Sequence, residues 1–429
     1  MVKTKPNNTF LWAPLCMLLF ALLPEYVFPV LMAVTYFKTL SFKGINKAFF
    51  GSMGICLTAY AAWQFIGLFY SGSFVSGLTG IGLWLFMLLA YFSASTNITT
   101  EEKLENTFFA GAISGGICGG IGILQMLLYH YGELIHPALK TFFNPFWHPL
   151  DKFVADVAIN HLVPDFAMKY IQRKEFIAIV TRASGTFTNP VFFAIFLVTM
   201  LPFAAHCLFN LKGKVKKITG AVSLVLIVGG IAVSYSRGPY LAAAVGFAVL
   251  LLYGGKRLLA LAGLGAAGIA GFAVVAPGVF KRLLTLFSSN DISINTRSDI
   301  WKACFEMLRG GKWVFGYGTG VNNIREILHN TCGIRQPHAH NLFLQVLLEN
   351  GVIGVGLLIS AILCFALIML KLARQGKKER YTAITLLSSM VGFFMCGMTD
   401  YLFYGLKPMC CMMLVFGMAY AAKKIYIKQ

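Results

Sequence analysis

Residues 341–372 read NLFLQVLLENGVIGVGLLISAILCFALIMLKL, 32 positions in which Glu349 and Lys371 are the only charges. Such a run predicts a helix in a bilayer, because about 20 apolar residues already cross the hydrocarbon core. Fully helical it would extend about 48 Å, so its Asn341 end is expected to protrude, tilt or bend. Outward from it, similar runs ended by charges, Pro or Gly lie at 11–23, 26–37, 49–70, 74–92, 108–128, 191–209, 218–233, 240–253, 258–275, 382–398 and 409–421, twelve in all. The expected fold class is an all-α polytopic membrane protein of about twelve transmembrane helices. The first two runs are short, meet at Pro24-Glu25 and read as a hairpin, without a cleavable signal.

Composition agrees: of 429 residues 58% are hydrophobic and 12% charged, and the mean hydropathy is +0.72. A soluble enzyme carries about twice that charged share, so a soluble enzyme, a disordered chain and a collagen-like fibre are excluded. The net charge of +20 would suggest nucleic acid in a soluble protein. Here the alternating topology puts 20 basic and 4 acidic residues on the inside, against 16 and 12 outside or in the spans. The positive-inside rule accounts for most of that excess, and no nucleic-acid partner is required.

The chain divides into N-terminal transmembrane helices (1–128), a first extracytoplasmic loop (129–190), central helices (191–275), a large extracytoplasmic loop (276–340) and C-terminal helices (341–429). Both loops are too long to be mere connectors and are expected to form a cap. The second has a helical pattern at 297–308 and a Gly-rich turn at 310–320. Most of the ten cysteines sit in spans as small apolar fillers; Cys304 and Cys332, in the large loop, form a pair able to bridge.

Few residues there invite chemistry. Arg237, in Ser234-Tyr235-Ser236-Arg237-Gly238-Pro239, ends one span and precedes the next. It must pair, meet water or snorkel to lipid phosphates. Arg297 opens the loop helix four residues before Trp301. Pro337-His338-Ala339-His340-Asn341 precedes the long span, and no Asp, Glu or Cys ligand lies nearby at helical spacing, which argues against zinc. At about 100° per residue, Gly351 and Gly354 would share a face with His340 and Glu349 would lie opposite, so Glu349 is not its orienting partner. Asp400, at an outer span end, is the candidate partner for His340 or an arginine, since an acid at that depth needs one.

Together these features resemble the O-antigen ligase and polymerase family of bacterial envelope glycosyltransferases, of GT-C type. The spacing His340-Asn341, nine residues, then Gly351-Val352-Ile353-Gly354 carries the resemblance. Ser236-Arg237-Gly238, Arg297 before Trp301, Asp400 and Gly185-Thr186-Phe187-Thr188-Asn189-Pro190 support it from about residue 180 onward. The resemblance implies metal-independent, inverting transfer of a glycan from undecaprenyl diphosphate to an acceptor hydroxyl, of lipid A-core type, in lipopolysaccharide assembly. The reaction would take place at the outer face of the cytoplasmic membrane, with the lipid-linked glycan, the acceptor and membrane lipids as partners and no cofactor. It implies His340 as general base and Arg237 and Arg297 as diphosphate-binding catalytic groups. His338 (the rival base), Asn341, Asp400, Gly351, Gly354, Arg182 and Trp301 would bind substrate or support the site. From the helix geometry, and not from the resemblance, the glycine face is expected to give the polyprenyl chain a path. A polymerase of capsule or O-antigen repeat units shares these features. A transporter of lipid-linked sugars is the remote alternative, because its charged sites would lie near mid-membrane.

Overall fold

The computed structural model describes residues 23, 28–39, 42–135, 182–254, 262–263, 265, 292–334 and 336–427. Among them the regular elements are helices, without strands: α1 (Phe28–Thr39), α2 (Phe42–Phe49), α3 (Ser52–Leu68), α4 (Phe74–Asn97), α5 (Glu101–Ile135), α6 (Pro190–Asn210), α7 (Lys214–Val233) and α8 (Arg237–Leu250). Then follow α9 (Ile292–Met307), α10 (Lys312–Phe315), α11 (Val321–Cys332), α12 (Leu342–Ala373), α13 (Lys377–Gly397) and α14 (Leu406–Tyr426). Ten of the apolar runs coincide with helices here. The run at 11–23, nearly all of that at 258–275, most of the first long loop and the start of the second lie outside the described residues.

Six helices, α4, α5, α6, α7, α12 and α14, are long and apolar enough to cross a membrane. That supports a polytopic membrane bundle, with six of the twelve runs meeting this standard among the described residues. Burial ranks them: 89% of the most apolar window of α6 is buried, against 33% for α12. The α6 helix is therefore central, packed by α5, α7 and α13, while α12 turns Ile359, Leu363, Leu367 and Leu370 outward. In water such an apolar face would be a liability; against lipid it has no cost.

The two ends of the bundle differ chemically. Lys378 pairs with Glu101 and with Glu105 (2.8 Å), Lys216 donates to Asn106 (3.2 Å) and Arg380 to the Leu252 carbonyl (3.4 Å). These contacts gather the ends of α5, α7, α8 and α13 that the charge distribution assigns to one side. At the other end the α7–α8 turn, the start of α12 and the α13–α14 connection come together with α9 to α11.

Two of them, α9 and α11, share a small hydrophobic cluster with the start of α12. Ile300, Cys304, Met307 and Leu308 of the α9 region meet Ile324 and Leu328 of α11, and all pack on Leu344 and Leu348 of α12. Each such leucine, fully buried, contributes about 2 kcal/mol, so the segment is docked rather than draped. Cys304 and Cys332 are free thiols.

Two motif asparagines act as helix caps. Asn189 Oδ1 accepts from Val191 N (2.8 Å) with Pro190 at the first position of α6, and Asn341 Oδ1 accepts from Leu344 N (3.0 Å) at the start of α12. A side-chain oxygen there satisfies an N–H that has no partner inside the helix.

Candidate functional site

The expectation that His340, Gly351 and Gly354 line one face of a continuous helix is corrected by the structure. The helix α12 begins at Leu342, and His340 precedes it with φ +48, a left-handed conformation uncommon outside glycine. Residues held this way cost about 1–3 kcal/mol and persist only where surrounding contacts fix them. Here Ala339 N donates to Gln345 Oε1 (2.8 Å), the Ala339 carbonyl accepts from Trp301 Nε1 (2.9 Å), and Asn341 Nδ2 donates to the Met398 carbonyl (3.1 Å). The histidine loop is thus pinned by α9, α12 and the end of α13.

These contacts bring His340 to Asp400, 60 residues away in sequence, with Nδ1 and Oδ1 3.3 Å apart. Asp400 Oδ1 also accepts from Tyr401 N (2.8 Å), and His338 Nε2 lies 3.9 Å from the same oxygen. Of the three side chains, that of His340 is 23% exposed and those of His338 and Asp400 only 7% and 9%, so His340 is the one open to a ligand. Burial is the largest influence on His338; with the neighbouring His340 and Arg297 it outweighs the opposing Asp400 and lowers the His338 pKa to about 4. Burial by itself would raise the Asp400 carboxyl; the His340 hydrogen bond, the two imidazoles and the Tyr401 N–H reverse this and hold it below the usual carboxylate range.

His338, His340 and Asp400 offer ligand atoms within 4.8 Å of one another, a grouping that could hold a metal ion and that spacing in sequence did not reveal. The hydrogen bonds fit a proton relay better. His338 Nδ1 accepts from His340 N (3.2 Å), so the proton of a neutral His338 sits on Nε2, facing Asp400. A metal on Nε2 would move that proton to Nδ1 and set two N–H groups against each other, the reverse of the acceptor that a metal-bound histidine normally finds.

The arginines sit on different elements. Arg297 lies one turn before Trp301 on the same face of α9, and its charge acts on His338. Arg237 begins α8 and its Nε and Nη1 are buried. Its neighbour Gly238 packs so closely on Thr399, beside Asp400, that a Cβ there would fall 2.1 Å from Thr399 Oγ1. Arg182 spans the α7–α8 turn, donating from Nε to the Ser234 carbonyl (2.9 Å) and from Nη2 to Ser236 Oγ (2.6 Å). Two groups the sequence did not single out hold the neighbouring segment. Gln125 Oε1 accepts from Ser184 N and Gly185 N, and the fully buried Lys407 donates to the Thr186 carbonyl (2.7 Å) with its Nζ 4.2 Å from the Phe187 ring centre.

Gly351 also has a different role from the expected lipid path. With φ +63 and ψ −170 it breaks α12, a conformation essentially reserved for glycine, and a Cβ there would lie 2.0 Å from the Val314 carbonyl oxygen. The backbone of residues 314–320 fills that space. Tyr317 N donates to the Leu348 carbonyl (2.8 Å) and Gly318 N to the Glu349 carbonyl (3.0 Å), which the break frees, while Trp63 Nε1 reaches the Asn350 carbonyl (2.8 Å). Gly354 lies on the following turn, near Trp63. The Gly-rich turn at 310–320 was the available signal for this docking, but nothing local identified the carbonyls it would meet.

Residues 222–359, about a third of the chain, match the family model described as O-antigen ligase. The matched segment contains Arg237, Arg297, Trp301, His338, His340, Asn341, Gly351 and Gly354; Arg182 and Asp400 lie outside it. Among curated proteins none matches the chain. Over that third the chain is similar to the O-antigen ligase family, and the long apolar helices support a multi-pass membrane protein.

Proposed function

We propose that the protein transfers a glycan from a polyprenyl diphosphate carrier to an acceptor hydroxyl, of lipid A-core type, with the site at the outer face of the cytoplasmic membrane. The observation that carries this reading is the His340–Asp400 contact. With its Nδ1–H donated to Asp400, His340, the most exposed of the three side chains, is left with Nε2 as an acceptor suited to take the proton of the attacking hydroxyl. Asp400, low in pKa, fixes that tautomer and stabilises the imidazolium once the proton has moved. Cleavage of the anomeric C–O bond leaves charge on the diphosphate, and the guanidinium groups of Arg237 and Arg297 neutralise it through paired N–H donors. The proton passes from acceptor to His340 and the bonding pair leaves with the diphosphate, so the step balances without a metal and inverts the anomeric centre. Arg182 supports Arg237 through the Ser234–Ser236 turn.

The test is reconstitution of the purified protein with radiolabelled undecaprenyl-diphosphate glycan and lipid A-core in one vesicle, beside His340→Ala. Label moving to lipid A-core in a His340-dependent way is the expected result. Label in lengthening ladders on the polyprenyl carrier means a polymerase, and full transfer by a well-folded His340→Ala removes the general-base assignment.

A further inference from the structure

Glu349 is a carboxylic acid that the proposed chemistry does not use, 4% exposed and a full turn and more away from the histidines. It faces polar groups from three directions. Gln345 Nε2 donates to Oε1 (2.7 Å) and Gly320 N to Oε2 (3.3 Å), and the Tyr401 hydroxyl is near enough for it and the carboxyl to act on each other electrostatically. Each partner belongs to a different wall of the site. Gln345 uses its other amide atom, Oε1, to accept from Ala339 N between the two histidines; Tyr401 follows Asp400 and gives it a backbone N–H; Gly320 ends the turn seated in the α12 break.

We propose that Glu349 is a positioning residue for transfer: one buried carboxyl orients the Gln345 amide and the Tyr401 hydroxyl and thereby sets His340 against Asp400. The direction of the Gln345 amide follows from it. With an acceptor at Glu349, the Gln345 NH2 turns toward it and the carbonyl oxygen is left for Ala339 N. Replacing that acceptor with a donor favours the flipped amide, which sets an NH2 against the Ala339 N–H and releases the histidine loop. Glu349→Gln keeps the volume yet sets an NH2 against either the Gln345 NH2 or the Gly320 N–H, so it tests the acceptor and not the packing.

This inference rests on the Asp400–His340 reading for its kinetic arm and stands apart from it in its structural arm. In the intact protein, amide exchange at Ala339 should accelerate about tenfold or more in Glu349→Gln; unchanged protection there overturns the proposal whatever the reaction proves to be. In reconstituted vesicles the variant should lose about tenfold in kcat with the donor KM held within about twofold. In an Asp400→Asn background the same substitution should cost less than about twofold, because the two act through one histidine. Equal losses in both backgrounds would assign Glu349 a purely structural role. Tyr401→Phe, which keeps the ring and removes one donor, should reproduce the kcat loss if Glu349→Gln folds poorly, and a wild-type rate there also counts against the proposal. Full activity of Asp400→Asn by itself would instead refute the general-base reading.

Discussion

Gly351→Ala should unseat the 314–320 turn from α12. A methyl at this position meets the Val314 carbonyl oxygen at 2.0 Å and its carbon at 2.4 Å, both backbone atoms that no rotamer change can move aside. The backbone conformation alone penalises a non-glycine residue by about 1–3 kcal/mol. Displacing the turn also releases Tyr317 N and Gly318 N from their carbonyls, at about 1 kcal/mol for each hydrogen bond. The total is about 3–5 kcal/mol, felt locally. Amide exchange in detergent micelles reads it directly: Tyr317 and Gly318 should exchange at least about 100-fold faster, at roughly 1.4 kcal/mol per factor of ten. Gly356→Ala is the matched control, since its Cβ meets nothing within 4 Å in the same helix, and it should stabilise by about 0.5–1 kcal/mol. Wild-type exchange at Tyr317 and Gly318 in Gly351→Ala would show that the turn is not seated in the helix break, and the account of this glycine would fall.

Three other outcomes follow from the site. His338 protonates in the unfolded chain below its ordinary 6.5 and in the folded protein only below about 4, so between these values the unfolded state carries the extra proton. Stability therefore falls as pH drops through that window, by about 3 kcal/mol when complete; melting curves of wild type and His338→Asn should converge there, and parallel curves would contradict the buried neutral imidazole. Asp400→Asn should lower glycan transfer by about 10²–10⁴ while leaving the protein folded, because the Nδ1 proton of His340 loses its acceptor; a loss below about threefold in the vesicle assay would reject that role. Asn341→Ala removes the α12 cap and a bond to the Met398 carbonyl, and should cost about 1–2 kcal/mol in thermal unfolding, with no change meaning that water replaces both.

The helices were legible because hydropathy is a local property: a run such as 342–373, with two charges in 32 positions, leaves water whatever packs against it, and ten of the twelve apolar runs are helices among the described residues. The spacing from His340 to Gly351 was equally legible, and so was the unusual position of Asp400. Their physical meaning was not. A continuous helix would have placed Gly351 under His340, whereas the chain starts α12 after His340 and breaks it at Gly351, because the carbonyls freed by that break are met by N–H groups of a turn some 30 positions earlier. The 338–341 loop could be read for its residue types but not for its partners: Trp301 lies 38 positions before Ala339, and Asp400 lies 60 after His340. Glu349 shows the difference most plainly. From helical periodicity it lies away from His340, yet Gln345 bonds both to its carboxyl and to Ala339 N between the two histidines. Sequence by itself determined which segments leave water and which residue types are available at their ends, since both depend on side-chain chemistry alone. Only tertiary closure decided which donor meets which acceptor, since a hydrogen bond requires about 3 Å and a direction, and no pattern along the chain encodes either.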